Sequence, residues 1–124
     1  MIYLDNASTT PLDPDVLDAM TVYLKEEFGN PSSQHSAGRK TAVALLDARD
    51  KIAALAGCSS DEIYFTSGGT EAGNWALKGA CLARHGRGKH LVVSAIEHPA
   101  LIESAKDMIK FGWEVSFVMP DKDG

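Results

Sequence analysis

The sequence predicts an α/β fold built on parallel or mixed strands, and three observations carry that expectation. Beyond residue 62, short runs rich in β-branched and aromatic residues alternate with segments of helical period. Gly, Pro or Asn punctuates the changeovers. A length of 124 residues at 44% hydrophobic and 23% charged composition fits one globular core and is too short for two. Strand and helix in alternation favour parallel neighbours, because a crossover helix is what joins them.

After an extended start, Met1-Ile2-Tyr3-Leu4-Asp5, Asp13 stands where it can cap a helix that begins at Pro14. Val16, Leu17, Met20, Leu24 and Phe28 recur at helical spacing, and Gly29-Asn30-Pro31 ends the run. Ser32 or Ser33 opens a longer helix in which Leu45, Ala48, Ile52 and Leu55 make one apolar stripe, with Arg49, Asp50 and Lys51 on the wet side. Gly57 supplies its stop. Strands are expected at 63–66, 91–96 and 113–119, separated by helices over 70–85 and 99–111. Three strands make a narrow sheet with an open edge. Pro120-Asp121-Lys122-Asp123-Gly124 is a turn sequence of the kind that leads into another element.

Charge and composition narrow the function classes. A net charge of -5 argues against a nucleic-acid partner, since such binders carry a basic face. The one basic stretch, Arg84, His85, Arg87, Lys89 and His90, is interleaved with Gly86 and Gly88, carries no aromatic residue, and reads as a solvated loop. The N-terminus lacks a basic and then apolar signal pattern, and no apolar run approaches membrane-spanning length, so a cytoplasmic protein without a membrane partner is expected. Cys58 and Cys81 fit neither CxxC nor zinc spacing, and no metal site is expected. Cys81, among Ala76, Ala80 and Leu82, reads as a small core residue, and Cys58 beside a helix stop has no evident activating base.

Two turns can carry chemistry. Ser67-Gly68-Gly69-Thr70-Glu71 stands where a helix begins, so free N–H groups and the positive dipole end favour an anion, and the Thr70 hydroxyl adds a donor. The turn matches neither Walker A nor GxGxxG, and taken alone it reads first as an ordinary capping turn and only second as a phosphate site. Glu97-His98-Pro99 places Pro99 at a first helical position and His98 at the cap before it. A capping histidine is one reading. The other is that both turns face one crevice beyond the carboxyl ends of two parallel strands, an anion cradle beside an imidazole that suits a phosphorylated aromatic cofactor. His35, after Asn30-Pro31-Ser32-Ser33, reads as polar surface, and no lysine stands in a context that marks it as a Schiff-base residue.

Taken in order, these segments resemble the cysteine desulfurases, within the class V aminotransferase group of fold-type-I pyridoxal-phosphate enzymes. The resemblance rests on Tyr3-Leu4-Asp5-Asn6-Ala7-Ser8-Thr9-Thr10-Pro11, on Phe28-Gly29-Asn30-Pro31-Ser32-Ser33 with His35 and Gly38, on Phe65-Thr66-Ser67-Gly68-Gly69-Thr70-Glu71 with Asn74, and on Glu97-His98-Pro99-Ala100. It covers essentially the whole chain but only about the first third of a family-length protein. It implies a partial large domain of the fold-type-I architecture, with 1–15 an N-terminal extended segment and 16–124 the first part of the pyridoxal-phosphate-binding domain. It implies further that Gly69 and Thr70 hold the phosphate of pyridoxal 5'-phosphate, and that His98 stacks on its ring and helps move protons as a catalytic residue. Ser8, Gly73 and Trp75 depart from the family's usual residues.

The activity so implied converts L-cysteine to L-alanine and an enzyme-bound persulfide, for iron–sulfur or thio-cofactor assembly through a sulfur acceptor or scaffold protein. A homodimer is implied for the full-length enzyme. The lysine and persulfide-cysteine segments are expected beyond Gly124, which makes the chain alone inactive. Neither Cys58 nor Cys81 inherits the nucleophile role. The rival readings are another class V enzyme such as a selenocysteine lyase, and a non-catalytic α/β domain or half of a split protein.

Overall fold

Helices dominate the described residues, among which there are two strands. The computed structural model describes residues 2–83, 86 and 88–123. The chain divides into two compact units, residues 1–64 and 65–124.

In the first unit α1 (Pro14–Lys25) begins as its sequence dictates. Pro14 occupies a first-turn position, and the Asp13 carboxylate accepts the N–H of Asp15 at 2.9 Å. The helix stops at Lys25, short of Phe28, which is 79% exposed. A turn follows in which the Asn30 side chain accepts the N–H of Ser32 at 2.9 Å. This occupies the serines, and α2 (Ser36–Ala56) starts later than Ser32 or Ser33 would have it. Its cap is His35, whose Nδ1 accepts the N–H of Gly38 at 3.2 Å. Gly38 is fixed by crowding: a Cβ there would run into the carbonyl oxygens of Asn30 and Ser33. Gly57 ends α2 in the left-handed region at φ 70°.

The buried face of α2 follows the expected stripe only in part: Leu45 and Ala48 are half-buried, but Ile52 is exposed. Ala53 and Gly38 are buried and Arg49 is half-buried, whereas Leu55 is 90% exposed. The buried positions are set by the turns that pack on the helix, including the 3-10 turn Ser60–Glu62, and these take small residues. The run 63–66 forms no strand. Its β-branched and aromatic residues describe a fit to a pleated, half-buried surface, and such a preference yields a strand only where a neighbour completes the ladder.

The second unit is a β-α-β crossover with one more helix against it. Strands β1 (His90–Ser94) and β2 (Glu114–Val118) pair in parallel, His90 opposite Glu114 and Ser94 opposite Val118. Helix α4 (Pro99–Ile109) connects them, and α3 (Gly69–Ala83) packs on α4. The core is Cys81, Met108 and Trp113, with Leu77 and Leu91 against it. The basic stretch is only partly loop. His90 lies in β1, with its Nε2 at 2.7 Å from the Ser116 hydroxyl across the sheet, while Arg84, His85 and Arg87 lie outside the described residues.

Candidate cofactor-binding site

The beginning of α3 is an open set of donors. Glu71 turns back, and its carboxylate accepts both the N–H and the hydroxyl of Ser67, each at 2.7 Å. Those two bonds hold the Glu71 carboxyl below its ordinary range and keep its charge tied to the turn. Among the described residues, nothing accepts from the N–H groups of Gly69, Thr70 or Glu71, and the Thr70 hydroxyl makes no hydrogen bond. The absence of side chains at Gly68 and Gly69 leaves this backbone approachable, since a Cβ on either would meet nothing within 4 Å. Three N–H groups at a helix start, one hydroxyl and the helix dipole fit an anion such as a phosphate.

His98 caps the other helix. Its Nδ1 accepts the N–H of Ala100 at 3.1 Å, and Pro99 opens α4 directly after it. With Nδ1 used as an acceptor, the proton of the neutral ring sits on Nε2. The capping reading and the site reading are both satisfied, because the capped imidazole also lines a cavity. That cavity measures about 350 Å³ and is bounded by Gly69, Thr70, His98, Ala100 and Leu101. Its volume is within the range of small-molecule sites. All three residues singled out in the sequence therefore meet there.

What brings them together is not what the sequence suggested. The stretch before Gly69 is not a strand, so two adjacent strand ends do not make the crevice. Helix packing makes it. Gly73 lets α4 come close: a Cβ there would lie 2.8 Å from the Leu101 Cδ2. Asn74 donates from Nδ2 to the Thr70 carbonyl at 2.9 Å, and its Oδ1 accepts a short hydrogen bond from the Ser104 hydroxyl. Lys78 reaches across to Asp107 at 3.2 Å. Leu101 and Ser104 carry no sequence signal that separates them from ordinary helix residues. The unusual glycine at 73 was the available hint.

The remaining candidates fall into place around this site. Cys81 is 4% exposed and burial pushes its thiol up, which makes it a core residue and a poor thiolate. Cys58 is exposed. The Ser8 hydroxyl donates to the Asp5 carboxylate at 2.9 Å, a local turn contact. A larger hollow of about 720 Å³ lies in the first unit beside Tyr23, Glu27, Lys40 and Asp47. Lys40 there pairs with Glu27 at 3.0 Å and Asp47 with Lys51 at 2.7 Å, while Arg39, also on its wall, donates to the Gln34 carbonyl at 2.6 Å. Among the described residues no His, Cys, Asp or Glu cluster is suited to a metal, and no helix is long and apolar enough to cross a membrane.

The residues present fit two ends of pyridoxal phosphate, the phosphate at the α3 start and the ring at His98. No lysine lines the cavity. Comparison with known proteins gives the family. The family model for aminotransferase class V matches residues 2–124. Cysteine desulfurase IscS of Dictyoglomus turgidum is 49% identical over 123 residues, which is 99% of this chain and 31% of that protein. Cysteine desulfurase IscS 1 of Archaeoglobus fulgidus is 47% identical over 124 residues, 100% of this chain and 32% of that one. Among solved structures, "SspA in complex with cysteine" superposes with a TM-score of 0.88 at 34% identity, over 96% of this chain and 34% of that chain. A NifS-like protein superposes at 0.85 and 37% identity, over 91% and 31%. The chain thus spans about a third of the length of the curated relatives it matches. With the family pattern matched from residue 2 to residue 124 and the helix start and capped histidine in one cavity, the chain belongs to the class V aminotransferase family.

Proposed function

We propose that these residues form the phosphate- and ring-binding part of a pyridoxal-phosphate-dependent cysteine desulfurase. The observation that carries the reading is the single cavity shared by Gly69, Thr70 and His98. Gly69 and Thr70 bind the phosphate through their N–H groups and the Thr70 hydroxyl. His98 lays its ring against the pyridine and holds a proton at Nε2, where it can be passed to or taken from a reacting group. Leu101 and Ala100 wall the cavity with apolar surface, which excludes water and strengthens those hydrogen bonds. When bound, pyridoxal phosphate supplies an aldehyde that captures the substrate amine and a ring that takes up negative charge from the substrate Cα.

L-Cysteine is the proposed substrate, supported by relatives named as cysteine desulfurases and by a structural neighbour described in complex with cysteine. In the reaction a thiolate takes the substrate sulfur, so that the Cβ–S bond breaks, an S–S bond forms, and a proton replaces sulfur on Cβ to leave L-alanine. Cys81 is too deeply buried to be that thiolate. The thiolate and the lysine that anchors the cofactor come from outside these residues, in a cytoplasmic homodimer that hands its sulfur to an acceptor or scaffold protein.

Magnitudes set the test. A helix start offers an anion at most about 2 kcal/mol and ring stacking about 1 more, while millimolar affinity requires about 4.1 kcal/mol. The 124-residue chain by itself is expected to bind pyridoxal phosphate more weakly than millimolar and to form no alanine from cysteine. After borohydride reduction it should show only the scattered lysine labelling of an unrelated control protein. One stoichiometric adduct on a single lysine, together with turnover of cysteine by this chain alone, would overturn the reading.

A further inference from the structure

We infer that Asn74 and Ser104 are positioning residues, a clasp that holds the phosphate cradle in register with His98. The inference rests on the proposed cofactor site and concerns what keeps its two halves aligned. Thr70 is in the cradle, and its carbonyl accepts from Asn74 Nδ2 at 2.9 Å. The other end of the same amide accepts from the hydroxyl of Ser104, which stands six residues after His98 on the helix that His98 caps. The path from cradle to imidazole thus runs Thr70, Asn74, Ser104, α4, His98, with two hydrogen bonds and one helix.

Burial makes this pair more than a surface contact. Ser104 is 2% exposed and Asn74 is half-buried, so water cannot readily replace either partner if the other is removed. An amide that must donate at one end and accept at the other has a single orientation here, which fixes its geometry as an apolar pair would not. Around it the helices approach closely, since Gly73 sets its Cα against Leu101 and Leu101 also walls the cavity. Packing brings α3 and α4 together, and the clasp decides their register. A ligand that engages only the ring is indifferent to that register. One that engages both the cradle and the imidazole feels it directly.

The difference can be read in the complete apo-desulfurase titrated with pyridoxal phosphate and with pyridoxal, which lacks the phosphate. Ser104→Ala and Asn74→Ala are each expected to weaken pyridoxal phosphate about tenfold or more while changing pyridoxal less than about threefold. The double variant should be no weaker than the weaker single variant, because both substitutions open the same clasp. Ser104→Thr, which keeps the hydroxyl, should keep the wild-type ratio of the two affinities. Retained pyridoxal binding reports a folded site in every variant. Equal weakening of both ligands, additive effects in the double variant, or an unchanged ratio would overturn the clasp. If the unmodified protein shows no preference for pyridoxal phosphate over pyridoxal, the cofactor reading itself fails and the clasp with it. A wild-type preference left intact by the variants defeats the clasp alone.

Discussion

His98 serves two purposes with one ring, and substitutions can separate them. Its Nδ1 caps α4 through Ala100, while its face and Nε2 belong to the cavity. Asparagine is among the best N-cap residues, whereas alanine forfeits about 1 kcal/mol at such a position. His98→Asn should therefore hold the thermal stability of the complete protein within about 0.5 kcal/mol, yet weaken pyridoxal phosphate and slow turnover as strongly as His98→Ala. His98→Ala should lose stability as well. Thermal melts beside cofactor titrations check this, and equal cofactor affinity in His98→Asn and wild type would show that the ring matters only as a cap. At this scale the residues by themselves left two readings open, since a glycine turn and a capping histidine are also ordinary helix starts, and it was the family resemblance that singled out Gly69, Thr70 and His98. Ser104 and Leu101 could not be named, because their importance depends on which face of α4 meets α3.

Between residue and molecule stand the helix ends, where local chemistry is legible and tertiary choice is not. Asp13, Pro14 and Gly57 act as the sequence indicates, each through a conformation that neighbours do not alter. The start of α2 shifted to Ser36 because Asn30 takes up the N–H of Ser32 and His35 caps in its place. The stretch 63–66 has the residues of a strand without forming one, since the ladder is a property of two segments. The α3 start yields a pH prediction. Ser67 lowers the folded-state pKa of Glu71, so the stabilisation is fully present above the unfolded value near 4.3 and is lost as the pH falls through the lower folded value. Glu71→Gln should remove that part of the acid sensitivity, giving a flatter loss of stability below about pH 4.5 than the unmodified protein shows in acid denaturation followed by circular dichroism. An identical acid limb in both proteins would mean that the Ser67–Glu71 contact contributes nothing to the folded state.

For the molecule as a whole, the fold class was legible because alternation of strand and helix survives even when one strand is missing. β1, α4 and β2 form the parallel crossover that the order of segments requires. The division into two units was not legible, since nothing in composition changes near residue 64. The apolar stripes were also read as more buried than they are: Leu24 is 70% exposed, Phe28 79% and Leu55 90%. Hydrophobic period identifies a face, and burial requires something to cover it. The site escapes that difficulty because its parts all lie in the second unit, on two helices that pack against each other. The most direct test is a crystal structure of the complete protein with pyridoxal phosphate bound. The phosphate should accept hydrogen bonds from the N–H groups of Gly69 and Thr70 and from the Thr70 hydroxyl, with the pyridine ring against the imidazole of His98. A phosphate bound away from the start of α3, or a ring that does not touch His98, would contradict the account.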